Sequence, residues 1–489
     1  MKKAVAALVA AIWVSGCSFA PEYHRPEQEL PASWGEEACE RRELLSREWW
    51  RRFQDETLNE LVASALAHNR DLAQSLARVE AARASLGMAR SELFPQFSAQ
   101  GSGERSRASL DATPTYGVME EVGLLEERVS ALEGRPRRGV SSPSRVSSVW
   151  SGAVQAAWEL DIWGRYRNAA SAAEENLLSA EEARRALELS VAGQVCSAYF
   201  DMLNYAAQRE LSERTLASRE SSTELYEKQY AAGAISELDI LNARTQVDEL
   251  KDSLAQAKTR LEQAESALLL LTGASPERIF SARAKGTASL EDIVALPQLP
   301  EGLPSELLNR RPDILSAEAA LRAAHFQVGE ARAAFFPSIS LTAGLGAASA
   351  ALNDLFTGPA GTWSFGGSAS FPIFTFGRTL SSVRQAEASL HEAAAAYEKA
   401  VQQAFSDIRS SLAAQQGMAE SVKNLAEASA RMEKAANLAR ARYAAGYSPY
   451  LDVLEAERTL YGAQMNLASR RASQLSAIVQ VCVALGGGW

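Results

Sequence analysis

Residues Pro337–Ala347 read PSISLTAGLGA. Ile339, Leu341, Ala343, Leu345 and Ala347 alternate with Ser338, Ser340, Thr342, Gly344 and Gly346, so an extended chain here has one apolar face and one face of hydroxyls and glycine. Trp363, Phe365, Ala369 and Phe371 stand against Thr362, Ser364, Ser368 and Ser370 in the same way, and Trp150, Val154, Ala156, Trp158 and Leu160 repeat the pattern earlier in the chain. A sandwich packed inside a helical domain would bury such an apolar face. A transmembrane barrel turns it to lipid and gives the small polar face to a wet lumen. The pattern predicts four strands, at about 95–104, 148–160, 337–348 and 361–372. Four strands cannot enclose their own side chains, and an open edge is not tolerated in lipid. If the sheet spans a membrane, several chains share one barrel.

The same stretch belongs to a duplication. EARAAFFPSIS from Glu330 follows MARSELFPQFS from Met88 by 242 residues, and RPDI from Arg311 follows NRDL from Asn69 by the same offset. Further on the offset falls to 213: FTFGR ends at Arg378 and DIWGR at Arg165, while YAAGYSPYLDVL from Tyr443 matches YAAGAISELDIL from Tyr230. The first copy therefore carries 29 extra residues between Ser98 and Asp161. Two structural repeats follow. In each, an Ala-rich helical stretch ends at a proline (Pro95 or Pro337), two strands follow, and helical periodicity resumes after Gly164 or Gly377.

From Tyr166 to Ala232, and again from Arg378 to Ala445, there is no proline and one glycine, Gly193 or Gly417. The spacing predicts helices over 166–232 and 378–445, each reaching roughly 100 Å, with return helices over 236–272 and 449–485. Helices this long need helical partners along their length. Gly233 and Gly446 sit where a helix end needs a left-handed residue. Ser236 and Ser448 are placed to cap the next helix, with Asp239 completing a capping box and Pro449 suited to a first helical position.

The first sixteen residues, MKKAVAALVAAIWVSG, place two lysines before a short apolar run that ends in small residues just ahead of Cys17. This is an export signal, since the run is too short to span a bilayer and stop there. An ordinary cleaved leader and a lipidated Cys17 are both open on the pattern. Cys39, Cys196 and Cys482 imply no complete disulfide framework once Cys17 is acylated. The chain of 489 residues has a net charge of −10, which makes nucleic acid a poor partner. Its four histidines show no metal-ligand spacing, and no nucleotide loop or nucleophile elbow occurs, so neither a cofactor nor an enzymatic reaction is indicated.

Taken together, CSFAPEYHRP from Cys17, RRPDI from Arg310, FPIFTFGR from Phe371 and the paired YAAG…LD turns resemble the TolC/OprM family of outer-membrane efflux proteins, in its NodT-type lipoprotein branch. The resemblance covers essentially the mature chain. It implies a mainly α fold with a transmembrane β-barrel portion: two structural repeats per chain, and a homotrimer whose twelve-stranded barrel, four strands per chain, continues into a long α-helical periplasmic barrel. Its segments would be a lipoprotein signal at 1–16, a lipid-anchored collar at 17–55, a first repeat at 56–272, an equatorial linker at 273–304, a second repeat at 305–486 and a tail at 487–489. VSGC at Val14–Cys17 resembles a lipobox, which makes Cys17 the lipidation site in outer-membrane lipid, and Ser18 after it points to the outer membrane.

The resemblance further implies an exit duct for small molecules such as drugs. The duct would join a periplasmic adaptor and an inner-membrane transporter of the RND or ABC type. Protein secretion of type I, or a surface coiled-coil lipoprotein without a pore, are the alternatives. Leu451, Asp452 and Glu455 correspond to the family's periplasmic gate, with Asp239 the first-copy equivalent of Asp452. Tyr230, Gly233, Ser236, Tyr443, Gly446 and Ser448 mark the hairpin tips where an adaptor docks. Acids in a first helical turn also complement the macrodipole without any gate, so on sequence both readings of Asp452 and Glu455 stand. TolC carries a basic residue at the position of Ser448, so an ionic lock is lost here and closure would rest on apolar contact at Leu451. The extra residues of the first copy include Val118, Val122, Leu125, Val129 and Leu132 at spacings of four and three. They predict an amphipathic helix that either lies on its own extracellular loop or joins two others as a cap.

Overall fold

The computed structural model describes residues 18–27, 48–107, 109, 114–134, 146–281, 290, 293 and 308–487. The chain forms α1 (Glu56–His68), α2 (Arg70–Ser91), β1 (Gln96–Arg107), α3 (Pro114–Glu133), β2 (Val146–Glu159), α4 (Arg165–Ala231), α5 (Glu237–Leu271) and α6 (Pro276–Ser281). It continues with α7 (Pro312–Ala333), β3 (Ser338–Ser349), β4 (Gly361–Ser370), α8 (Arg378–Ala444) and α9 (Tyr450–Ala484). The order helix, two strands, long helix, return helix occurs twice, with α3 intruding only in the first copy. α4 and α8 are each 67 residues long, and α5 and α9 each 35. Of the described residues, those within Met1–Pro21, Leu86–Ser171 and Phe326–Glu387 form one compact unit, and those within Glu22–Ser85, Ala172–His325 and Ala388–Trp489 a second. Each unit draws on both copies, so the duplication does not correspond to two domains. Cys17 and Cys39 lie outside the described residues.

The first unit is built on one antiparallel sheet in the order β1-β2-β3-β4. Its register puts Val154 opposite Leu345 and Leu345 opposite Trp363, with Ala156, Ala343 and Phe365 in the next row. Gln155, Gly344 and Ser364 form a row on the other face, beside Ser340 and Ser368. Because opposed residues share a face, the alternation read along single strands becomes a continuous apolar surface and a continuous small polar one. Neither is covered: Trp363 is 81% exposed and Phe97 and Phe365 each 74%. β1 and β4 each have one unpaired edge.

Ser18 anchors to this unit by donating its hydroxyl to Asn168 Oδ1 at 2.9 Å, and Phe19 stacks on Phe336 at 4.4 Å. Phe336 also stacks on Trp163, whose indole donates to the Pro337 carbonyl at 2.8 Å. Gly329 lies under this strap. A Cβ there would stand 2.7 Å from the Ala20 nitrogen, so only glycine admits the backbone so close.

The second unit holds the main core. Trp49, Phe53, Leu58 and Val62 pack with Val195, Cys196, Tyr199 and Phe200 of α4 and with Leu475, Ile478, Val479 and Cys482 of α9. Each fully buried side chain of this size contributes roughly 1.5–3 kcal/mol. Tyr199 donates to Asp55 Oδ2 at 2.7 Å, while Asp55 Oδ1 accepts from Leu58 N and caps α1. The collar expected over 17–55 therefore ends in core residues, with Trp49 wholly buried. Burial pushes the Cys482 thiol up to about 12 and raises that of Cys196, so both are inert packing groups. Ahead of them in the chain, Tyr23 and Arg25 both bond Glu318, which Arg322 also reaches at 3.1 Å. Burial alone would raise the Glu318 carboxyl, but Arg25 and Arg322 hold it below its ordinary value.

Candidate functional site: the paired hairpin tips

The two Tyr-Ala-Ala-Gly turns lie in the second unit, joining α4 to α5 and α8 to α9. Both helices end alike. Gly233 N–H donates to Tyr230 O at 2.8 Å and Ala234 N–H to Gln229 O at 2.8 Å; Gly446 donates to Tyr443 O at 2.9 Å and Tyr447 to Arg442 O at 2.8 Å. The glycines take φ of 74° and 76°. These paired bonds are Schellman closures, in which a left-handed residue lets the last carbonyls find donors.

The helices that follow start differently. Ser236 Oγ accepts from Asp239 N at 3.2 Å and Asp239 Oδ2 accepts from Ser236 N at 3.2 Å, which is the capping box predicted from the spacing. Ser448 does not cap, contrary to the sequence reading. The cap position of α9 is Pro449, one residue before the first helical turn, and no side chain bonds the helix start. The Ser448 hydroxyl oxygen is buried with no hydrogen-bond partner among the described residues. A proline at the boundary fixes φ near −67° and starts the helix by conformation alone. Asp452 is therefore released from the task that occupies Asp239. It is exposed; its N–H donates to the Pro449 carbonyl at 3.3 Å, and its carboxylate is not engaged in a cap. Leu451 beside it is 57% exposed. Glu455, one turn on, pairs with Arg458 at 2.7 Å.

What joins the two tips is a cluster that the sequence marked only at Tyr443. The Tyr226 and Tyr450 rings lie 3.8 Å apart, Tyr443 stands 5.5 Å from Tyr450, and Ile240, Val453 and Leu454 close the group. Burial pushes the Tyr226 hydroxyl up to about 12 and raises Tyr450 further. Behind it Glu457 divides its carboxylate: Oε1 accepts from Arg440 Nε at 2.7 Å, and Oε2 lies 3.6 Å from Nε of the nearly buried Arg219. Burial depresses the Arg219 guanidinium more than Glu457 supports it. In the first copy the corresponding positions hold Glu227 and Arg244, paired at 2.8 Å with the charges exchanged between long and return helix. That charge swap at an offset of 213 was the available sequence signal.

The family profile described as "Outer membrane efflux protein" matches residues 61–274 and 303–487. The chain is 34% identical over 491 residues to the solvent efflux pump outer membrane protein SrpC of Pseudomonas putida, covering 99% of this chain and 97% of that one. It is 32% identical to the cation efflux system protein CusC of Escherichia coli O6:H1, with 98% and 97% covered. The crystal structure of the Campylobacter jejuni CmeC outer membrane channel superposes with a TM-score of 0.86 at 26% identity, over 97% of this chain and 95% of that one. A sheet with an apolar face and a polar face, two long helical hairpins and a match over nearly the whole length agree, and this chain belongs to the outer membrane efflux protein family.

Proposed function

We propose that three copies close one twelve-stranded barrel and form the outer-membrane exit duct of a tripartite efflux system, passing small molecules outward without catalysing a reaction on them. The carrying observation is the sheet: its apolar face and both edges are bare in the single chain. Lipid covers the face, and neighbouring copies satisfy the edges. The other face would line the lumen with Ser, Thr, Gly and Gln, groups that hydrate a passage and select weakly among solutes. That suits a family whose relatives are named for solvents and for cations. The duct works with an adaptor in the periplasm and a transporter in the inner membrane, the latter of the RND or ABC type. Acylation of Cys17 would anchor the chain, and Ser18 beside it is tied to the unit that carries the sheet.

The hairpin tips form the periplasmic entrance in this reading. Leu451 narrows it, and Asp452 and Glu455 favour cations at the mouth; three copies bring like charges around one axis. Asp239, held in its capping box, contributes less. Tyr230, Gly233, Ser236, Tyr443, Gly446 and Ser448 shape the ends on which the adaptor docks. The test is single-channel conductance of the purified oligomer in planar bilayers. Discrete channels are expected, and conductance rises in Leu451→Ala. A folded oligomer that conducts nothing overturns the duct, whereas unchanged conductance in Leu451→Ala overturns the apolar gate alone.

A further inference from the structure

The apolar stripe of α3 is exposed along its described length. Val118, Val122, Leu125, Val129 and Leu132 form one stripe, all are exposed, and Leu132 is 87% exposed. No described side chain of the helix is buried. An isolated helix of 20 residues is marginal in water, so its stripe must be covered by something. From Glu121 to Glu133 the helix carries Glu121, Glu126, Glu127 and Glu133 and one basic residue, Arg128. Helices that lie on lipid surfaces are rich in basic residues on their polar side; this one is mainly acidic there.

We infer that α3 packs against the α3 helices of two further copies, forming a three-helix cap over the outer mouth of the barrel. This rests on the shared barrel proposed above. β1 is an edge strand, so closing the barrel seats the next copy beside it, and α3 is the first element after β1. The connections β1–β2 and β3–β4 leave the sheet at the end opposite α2, α4, α7 and α8. A twelve-stranded barrel has a radius of roughly 12 Å. The residues between Arg107 and Pro114 can span about 20 Å, which is enough to bring the helix to the axis. Stripe spacings of four and three are those of a seam between helices. Val122 and Val129 take one class of seam position and Leu125 and Leu132 the other, a choice that in free peptides favours two strands. Here the barrel sets the number at three, and holding the helices together at millimolar effective concentration supplies what two heptads lack.

The test places one cysteine in the seam, Leu125→Cys, and one on the opposite side, Glu127→Cys, in the assembled oligomer under a mild oxidant, with the unsubstituted chain as background. Cross-linking needs Cβ atoms a few ångströms apart, so the Leu125→Cys dimer fraction should exceed that of Glu127→Cys by about five-fold or more. Conductance should rise in the Val122→Asp/Leu125→Asp double variant. Equal or absent cross-linking in an intact three-copy oligomer overturns the cap and leaves the duct standing. A chain found monomeric by mass before oxidation overturns both.

Discussion

The two hairpin tips share a sequence pattern and a turn geometry, yet they commit their side chains differently. In the first, Ser236 and Asp239 bind each other's backbone and the acid is consumed in starting α5. In the second, Pro449 starts α9 by its fixed φ, and Asp452 is left to face solvent. The ion pairs behind the tips differ in the same sense. Glu227 and Arg244 are each about half exposed, at 46% and 57%, whereas Glu457 and Arg219 are 16% and 7% exposed. The first-copy pair holds local structure; Glu457 of the second copy instead meets Arg219 of the first and so joins the hairpins, while Asp452 stays free at its end. Duplication supplied two equivalent tips, and in the proposed duct only the second leaves an acid free for the entrance.

That contrast can be broken most severely at Tyr450. Replacing it by Ala removes the ring shared by Tyr226 and Tyr443 and should cost about 3–5 kcal/mol. Hydrogen exchange at both tips should accelerate together; acceleration at one alone would show that the cluster does not couple them. Next in size is Glu457→Gln, which leaves Arg219 nearly buried without its carboxylate, at about 3 kcal/mol. Removing the carboxylate of the equivalent first-copy pair, Glu227→Gln, should change stability by only about 0.5 kcal/mol, because that pair is exposed. Equal losses in thermal unfolding would erase the difference.

Smaller still, Ser236→Ala should cost about 1 kcal/mol through the lost cap, while Ser448→Ala should be neutral because its hydroxyl bonds nothing described. Amide exchange in the first turns of α5 and α9 reads this directly. Finally, Asp452→Asn should lower cation selectivity of the channel while leaving thermal stability within about 0.5 kcal/mol. Asp239→Asn should do the reverse, and matching selectivity losses would mean that both acids line the entrance.

Much of the fold was legible because its signals are periodic and local. The alternation around Ile339 and Leu345 named the faces that the register later joined, and the absence of proline from 166 to 232 marked a helix that the structure ends at Ala231. Gly233 and Gly446 announced the turns through a backbone conformation that other residues resist. The site was less legible. The spacing of Ser448 matched a capping serine, but the adjacent proline took the cap. Trp49 and Phe53 sat in a stretch without periodicity, and Tyr226, Arg219 and Glu457 are ordinary helical residues until their partners, far away in sequence, are known.

By itself the sequence determined which segments are helix and strand, that they come twice, which strand faces are apolar, and where each hairpin turns. Each of these follows from the chemistry of neighbouring residues and from periods of two or 3.6. Only the tertiary structure decided which acid caps a helix and which stays bare, which tyrosines meet, and which carboxylate is buried between two arginines. The cap turned on backbone geometry at Pro449; the other two depend on Tyr226 meeting Tyr450 and Arg219 meeting Glu457, more than 200 positions apart, where burial sets the strength of a ring or a charge and spacing along one chain is silent.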